Sequence, residues 1–119
     1  VIDDEADILA GLSLFLRAQG HQVEALCCVE CERCKSIIEG MREAPDAIIA
    51  DYRLHGGQTG VEAVHMLRKA FKKAVPAIIL TGDTAPERLA EVMSSGLPIM
   101  HKPIEAKVLQ GEIMHLLDD

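Results

Sequence analysis

Two short, unbroken apolar runs constrain this chain most: Ala47-Ile48-Ile49-Ala50 and Ala77-Ile78-Ile79-Leu80, each followed at once by a polar residue, Asp51 or Thr81. A continuous four-residue run with β-branched side chains is the pattern of a strand buried on both faces, as in a parallel sheet, and unlike the alternation of a half-exposed strand. Such a strand needs helices above and below it. The segments around the two runs supply them.

Ile8, Leu9, Leu12, Phe15 and Leu16 follow the helical period, and Gly20 stands where a left-handed stop is wanted. Val23 to Leu26 reads as a short strand, after which Cys31, Cys34, Ile37, Ile38 and Met41 restore helical spacing up to Pro45. Ala47 to Ala50 leads into a third helix carrying Val61, Val64, Leu67 and Phe71 on one side. After Ala77 to Leu80, Pro86 fits the first turn of a fourth helix and Gly96 ends it. Leu97 to His101 reads as a last strand, and Val108, Leu109, Ile113, Leu116 and Leu117 mark a final amphipathic helix before an acidic tail. Counting a strand end at Val1-Ile2, strand and helix alternate five times. This predicts an α/β fold: a parallel sheet covered on both faces, with its ligand site at the carboxyl ends of the strands.

The 119 residues fit one domain, residues 1–119, able to bury roughly two thirds of the surface of the unfolded chain. A net charge of −7 argues against a nonspecific nucleic-acid surface and favours a cation or a basic partner. No apolar stretch approaches the roughly 20 residues that cross a bilayer, and no charged-then-apolar leader opens the chain, so membrane contact and export are not expected. The opening Val1-Ile2-Asp3-Asp4 lacks both a Met and a full strand, which reads as a fragment of a longer protein.

The expected topology puts Asp3-Asp4, Asp51, Thr81 and Lys102 at the carboxyl ends of four strands, on one edge of the sheet. Like charges there repel, by about 4 kcal/mol per pair at 4 Å and an effective dielectric of 20. An oxygen-preferring divalent cation, Mg²⁺ above all, relieves that repulsion, and Lys102 adds a fixed positive charge.

The motifs "VIDDE", "IIADYRL", "IILTGD" and "HKP", in this order and at strand ends, resemble the receiver domain of two-component response regulators over essentially the whole chain. The resemblance implies a flavodoxin-like (βα)5 fold with a five-stranded parallel sheet in the order 2-1-3-4-5. It implies that Asp51 is the phosphoacceptor, taking a phosphoryl group from a phosphohistidine on a histidine kinase or a histidine phosphotransfer domain. Mg²⁺ is then held by Asp4 directly, by Asp3 through water, by Asp51, and by the backbone carbonyl of Arg53. Lys102 pairs with Asp51 and later with the phosphoryl oxygens, while Thr81 and the N–H of Gly82 bind the phosphoryl group. The implied setting is cytoplasmic, and a homodimer is compatible with it. The segments "ADYRLHGGQTG", "LTGDTAPERL" and "SGLPIMHKP" look like receivers attached to hybrid sensor histidine kinases.

Where many receivers carry an aromatic switch residue, three positions before the lysine, this chain has Ile99. Arg53 and Asp83 are expected to flank the mouth of the site and to form an ion pair over the phosphoryl group. Two competing readings are weaker. An aspartate-nucleophile phosphohydrolase places a second aspartate two residues after the nucleophile, where this chain has Arg53. A phosphorylation-deficient pseudo-receiver would not be expected to keep Asp3, Asp4, Asp51, Thr81 and Lys102 together.

Cys27, Cys28, Cys31 and Cys34 invite a metal or redox reading, but Cys31 and Cys34 continue the apolar stripe of the second helix, so free thiols in a reducing compartment are expected. His21, His55, His65, His101 and His115 show no paired ligand spacing. The "GGQTG" of Gly56 to Gly60 lacks the lysine of a phosphate loop and reads as the entry to the third helix.

Overall fold

The computed structural model describes residues 1–29, 31–54, 57–82, 90 and 92–117. The two apolar runs form its centre. β1 (Ile48–Asp51) and β2 (Ala77–Thr81) are buried along their whole length and pair in parallel, Ile48 with Ala77 through Asp51 with Leu80. β3 (Ile99–His101) adds to the other edge of β2, with Ile79 opposite Ile99 and Thr81 opposite His101.

Side chains alternate across this sheet and sort the core into two layers. Ile48, Ala50, Ala77 and Ile79 point to one face, where they meet Cys34 of α2 (Glu32–Gly40), Val61, Val64 and Leu67 of α3 (Gly60–Phe71), and Val92. Ile49, Ile78 and Leu80 point to the other, against Leu16 of α1 (Ala6–Ala18) and Leu109 and Ile113 of α4 (Ala106–Leu117). Burial on both faces is why the strands read as continuous apolar runs. The helices follow their expected apolar spacing, with a narrower stripe in α4, where Val108 is exposed. At the end of α1, Gly20 takes φ 95° and donates its N–H to Arg17 O, the left-handed stop expected there.

Three strands are formed among the described residues, where the sequence reading expects five. Val1-Ile2 and Val23–Leu26 each contribute a single bridge residue, Ile2 pairing in parallel with both Leu26 and Ala50. Ile2 N–H donates to Ile49 O at 2.7 Å and Asp51 N–H to Ile2 O at 2.8 Å; on the other side Asp3 N–H donates to Leu26 O at 3.0 Å. The second helix is also shorter than its stripe, starting at Glu32 with Cys31 as its N-cap. Helical residues Val92–Ser94 precede Gly96, while Pro86 lies outside the described residues. No described helix is long and apolar enough to cross a membrane.

Candidate functional site

Asp51 is the last residue of β1, and its position is held from three sides. Its N–H donates to Ile2 O, its register partner is Leu80, and α3 begins directly against it. A Cβ at Gly60 would collide with the carbonyl oxygen of Asp51, so only glycine allows this helix start, where Gly60 N–H donates to Tyr52 O at 2.7 Å. Thr59 caps α3 reciprocally with Glu62, and Arg53 bridges Thr59 to close the intervening loop.

Lys102 follows β3, and its backbone N–H donates to Thr81 O at 2.8 Å, which ties it to the end of β2. Its ammonium reaches back across the sheet edge, 2.8 Å from Asp51 Oδ1 and 3.9 Å from Asp3 Oδ2. One carboxylate oxygen from each of Asp3, Asp4 and Asp51 lies within 4.8 Å of the others. The structure therefore brings Asp3, Asp4, Asp51, Thr81 and Lys102 together as the topology predicts. Thr81 is buried beside them, and Gly82 and Arg53 line the same cavity of about 430 Å³ with Asp4, Asp51, Thr81 and Lys102. Asp83 of the expected ion pair, and His55 and Gly56, lie outside the described residues.

Two cavity residues were not singled out from the sequence, Glu5 and Tyr52. Glu5 was visible as the third acid in a row in "VIDDE"; Tyr52 had no separate signal beyond adjacency to Asp51. Asp3 is not on the cavity wall: it is 1% exposed and lies behind it. A larger cavity, about 900 Å³, opens around the first residues of the strands, Val1, Ala47 and Ile48, away from this cluster.

Charge at the site is strained. Burial raises the Asp51 pKa above the ordinary carboxylate range; Lys102 opposes this by hydrogen bond and charge, and Asp4 and Glu5 add to the rise. Burial likewise raises Asp3, against the N–H of Glu5, which donates to its Oδ1 at 2.9 Å, and with the charge of Asp51. Burial pulls the Lys102 ammonium down, but the hydrogen bond and charge of Asp51, then Asp3, outweigh it and leave its pKa raised. One lysine thus stays firmly charged without fully compensating two buried carboxylates. Oδ2 of Asp3 is buried with no hydrogen-bond partner. An all-oxygen donor set with an unsatisfied buried carboxylate oxygen fits a hard divalent cation.

The remaining histidines do not join the site: His21 Nε2 pairs with Gln110 Oε1 at 2.9 Å, linking α4 to the turn after α1, and His65, His101 and His115 are exposed. Ile99 is half-buried in β3.

The response regulator receiver domain family model matches residues 1–114. The phyllosphere-induced regulator PhyR of Methylorubrum extorquens is 35% identical over 88 residues, 74% of this chain and 31% of PhyR. The phosphate regulon transcriptional regulatory protein PhoB of Escherichia coli is 28% identical over 116 residues, 95% of this chain and 48% of PhoB. The chain thus spans half or less of these curated relatives. Among solved structures, the receiver domain of a signal transduction histidine kinase from Syntrophus aciditrophicus superposes with a TM-score of 0.80 at 22% identity, covering 98% of this chain and 86% of that one. With the family model matched along nearly its whole length, the chain belongs to the response regulator receiver domains of two-component systems.

Proposed function

We propose that this domain accepts a phosphoryl group on Asp51 from a phosphohistidine carried by a histidine kinase or a histidine phosphotransfer domain. The observation that carries the reading is the Asp51 carboxylate on an open cavity, 2.8 Å from the Lys102 ammonium and beside the carboxylates of Asp3 and Asp4. A free Asp51 oxygen attacks phosphorus, the phosphorus–nitrogen bond of the donor breaks, and the released imidazole takes up a proton. Lys102 then follows the charge onto the phosphoryl oxygens, and Thr81 and the N–H of Gly82 donate to them. This work is positioning and charge neutralisation, which needs no further acid or base on the protein.

Asp3, Asp4, Asp51 and the carbonyl of Arg53 are the groups that would hold Mg²⁺, which supplies charge neutralisation for the transferring group. Asp3, enclosed behind the cavity, serves this role best through an intervening water. The bridges of Ile2 to Leu26 and Ala50 support the five-strand order 2-1-3-4-5. The three segments quoted above support a receiver from a hybrid sensor histidine kinase, working in the cytoplasm.

A phosphohydrolase is disfavoured because Arg53 stands where its general acid would be. Incubation with Mg²⁺ and a small phosphodonor, followed by intact mass measurement, tests the reading. Wild type should gain one phosphoryl group and Asp51→Asn none; a gain on both proteins, or on neither, overturns it.

A further inference from the structure

Cys27, Cys28, Cys31 and Cys34 lie outside the carboxylate site, and the proposed phosphoryl chemistry leaves them unused. Cys27 and Cys28 follow Leu26 in irregular backbone, Cys31 is the N-cap of α2, and Cys34 is the third residue of that helix. The fold gathers their sulfurs. Cys27 Sγ lies 3.9 Å from that of Cys28, 3.8 Å from Cys31 and 3.6 Å from Cys34, and all four lie within 4.8 Å of one another. None is in a disulfide.

These separations discriminate between ligands. A tetrahedral ion with metal–sulfur bonds of about 2.3 Å holds its four sulfurs about 3.8 Å apart. An iron–sulfur cluster interposes several irons and sulfides between its cysteines and needs a wider cage. Burial of thiols does not explain the gathering either, since Cys27 is exposed while its sulfur still turns toward the buried Cys34. The backbone is prepared for thiolates: Cys31 N–H donates to Cys28 Sγ and Cys34 N–H to Cys31 Sγ, each at 3.4 Å. The N-terminus of α2 adds a favourable dipole at the same place.

We propose that the four cysteines form a mononuclear tetrathiolate site for a borderline-soft dication, with Zn²⁺ the ion whose geometry and ligand preference fit. Binding releases the four thiol protons to solvent and leaves a complex of net charge minus two, offset in part by the N–H donors and the helix dipole. With four protein ligands the site is closed and structural, not catalytic. It pins Cys27 and Cys28 to the start of α2. Leu26, immediately before Cys27, accepts the N–H of Asp3 at 3.0 Å, so this anchor sits one residue from the backbone that holds a carboxylate of the phosphoacceptor cluster.

The test is metal analysis of the protein purified anaerobically with reductant and exposed to Zn²⁺, with Co²⁺ as a spectroscopic substitute. One equivalent of Zn²⁺ per chain is expected, together with thiolate-to-cobalt charge transfer and the visible bands of a tetrahedral Co²⁺ ion. Cys27→Ser, chosen because the exposed residue does not support the core, should stay folded by circular dichroism and bind Zn²⁺ at least roughly tenfold more weakly. Four freely titrating thiols with no bound metal in wild type would overturn the site, as would undiminished binding by folded Cys27→Ser. The absorption of an iron–sulfur cluster in its place would overturn the mononuclear assignment.

Discussion

The ammonium of Lys102 stands 2.8 Å from Asp51 and 3.9 Å from Asp3, so one cation from the end of β3 serves two carboxylates delivered by other segments of the sheet. Removing it should matter more than removing an ordinary surface lysine. In Lys102→Ala the buried carboxylates lose that charge, and the metal-free protein should lose roughly 1–3 kcal/mol at neutral pH. Addition of Mg²⁺ should raise the Tm of this variant more than that of wild type. Equal increments in a thermal scan would show that Lys102 and the cation do not neutralise the same charge.

Asp3 and Asp51 both have raised pKa values in the folded protein. A carboxyl raised on folding contributes stability while it is protonated, and that contribution is lost as the pH climbs through its folded pKa. Around these two groups, the metal-free protein should therefore gain stability as the pH falls from neutral toward the range just above the ordinary aspartate value. Asp3→Asn, which removes the ionisable group whose Oδ2 is orphaned, should raise the Tm at pH 7 without Mg²⁺ by roughly 2–6 °C and flatten that slope. A lower Tm in this variant would mean that Lys102 more than compensates the burial of Asp3.

Gly60 carries a steric demand that an ordinary helix-initial residue does not. Gly60→Ala drives a methyl group against the carbonyl of Asp51 and should cost roughly 1–3 kcal/mol, with slower phosphorylation because the displaced residue is the proposed acceptor. Gly11→Ala is the control: within α1 its added methyl meets nothing, and it should stabilise by roughly 0.5–1 kcal/mol. Denaturant midpoints for the two variants moving in the same direction would contradict this contrast.

Arg53 is exposed on the cavity that holds Asp51. A shielding role for Arg53 over the acyl phosphate proposed on Asp51 predicts that Arg53→Ala loses phosphate faster than wild type after the donor is removed. An unchanged phosphate half-life, followed by intact mass over time, would remove Arg53 from this role.

Much of this site was legible because parallel strands end on one edge and each strand's apolar run announces where it ends. Asp51 after "AIIA", Thr81 after "AIIL" and Lys102 after "PIMH" could be placed together without coordinates. The first two strands were less legible. Val1-Ile2 and Val23–Leu26 have strand-like composition, yet how long a ladder forms depends on what each finds alongside it, and each contributes a single bridge residue, Ile2 pairing with Leu26 and Ala50. The cysteines were legible as free thiols and, at Cys34, as part of the buried stripe of α2, but helical spacing gave no sign that Cys27 and Cys28 come within 4.8 Å of Cys31 and Cys34, because α2 begins only at Glu32.

The sequence by itself determined the alternation of strand and helix, the burial of β1 and β2 on both faces, and the residue types at the carboxyl edge, because periodicity and apolar content act locally along the chain. Tertiary structure decided which carboxylate is enclosed and which is open, that Lys102 leans on Asp51 more closely than on Asp3, and that four sulfurs share one small volume. Those outcomes depend on distances of a few Å between segments far apart in the chain, and such distances are set only when the layers pack.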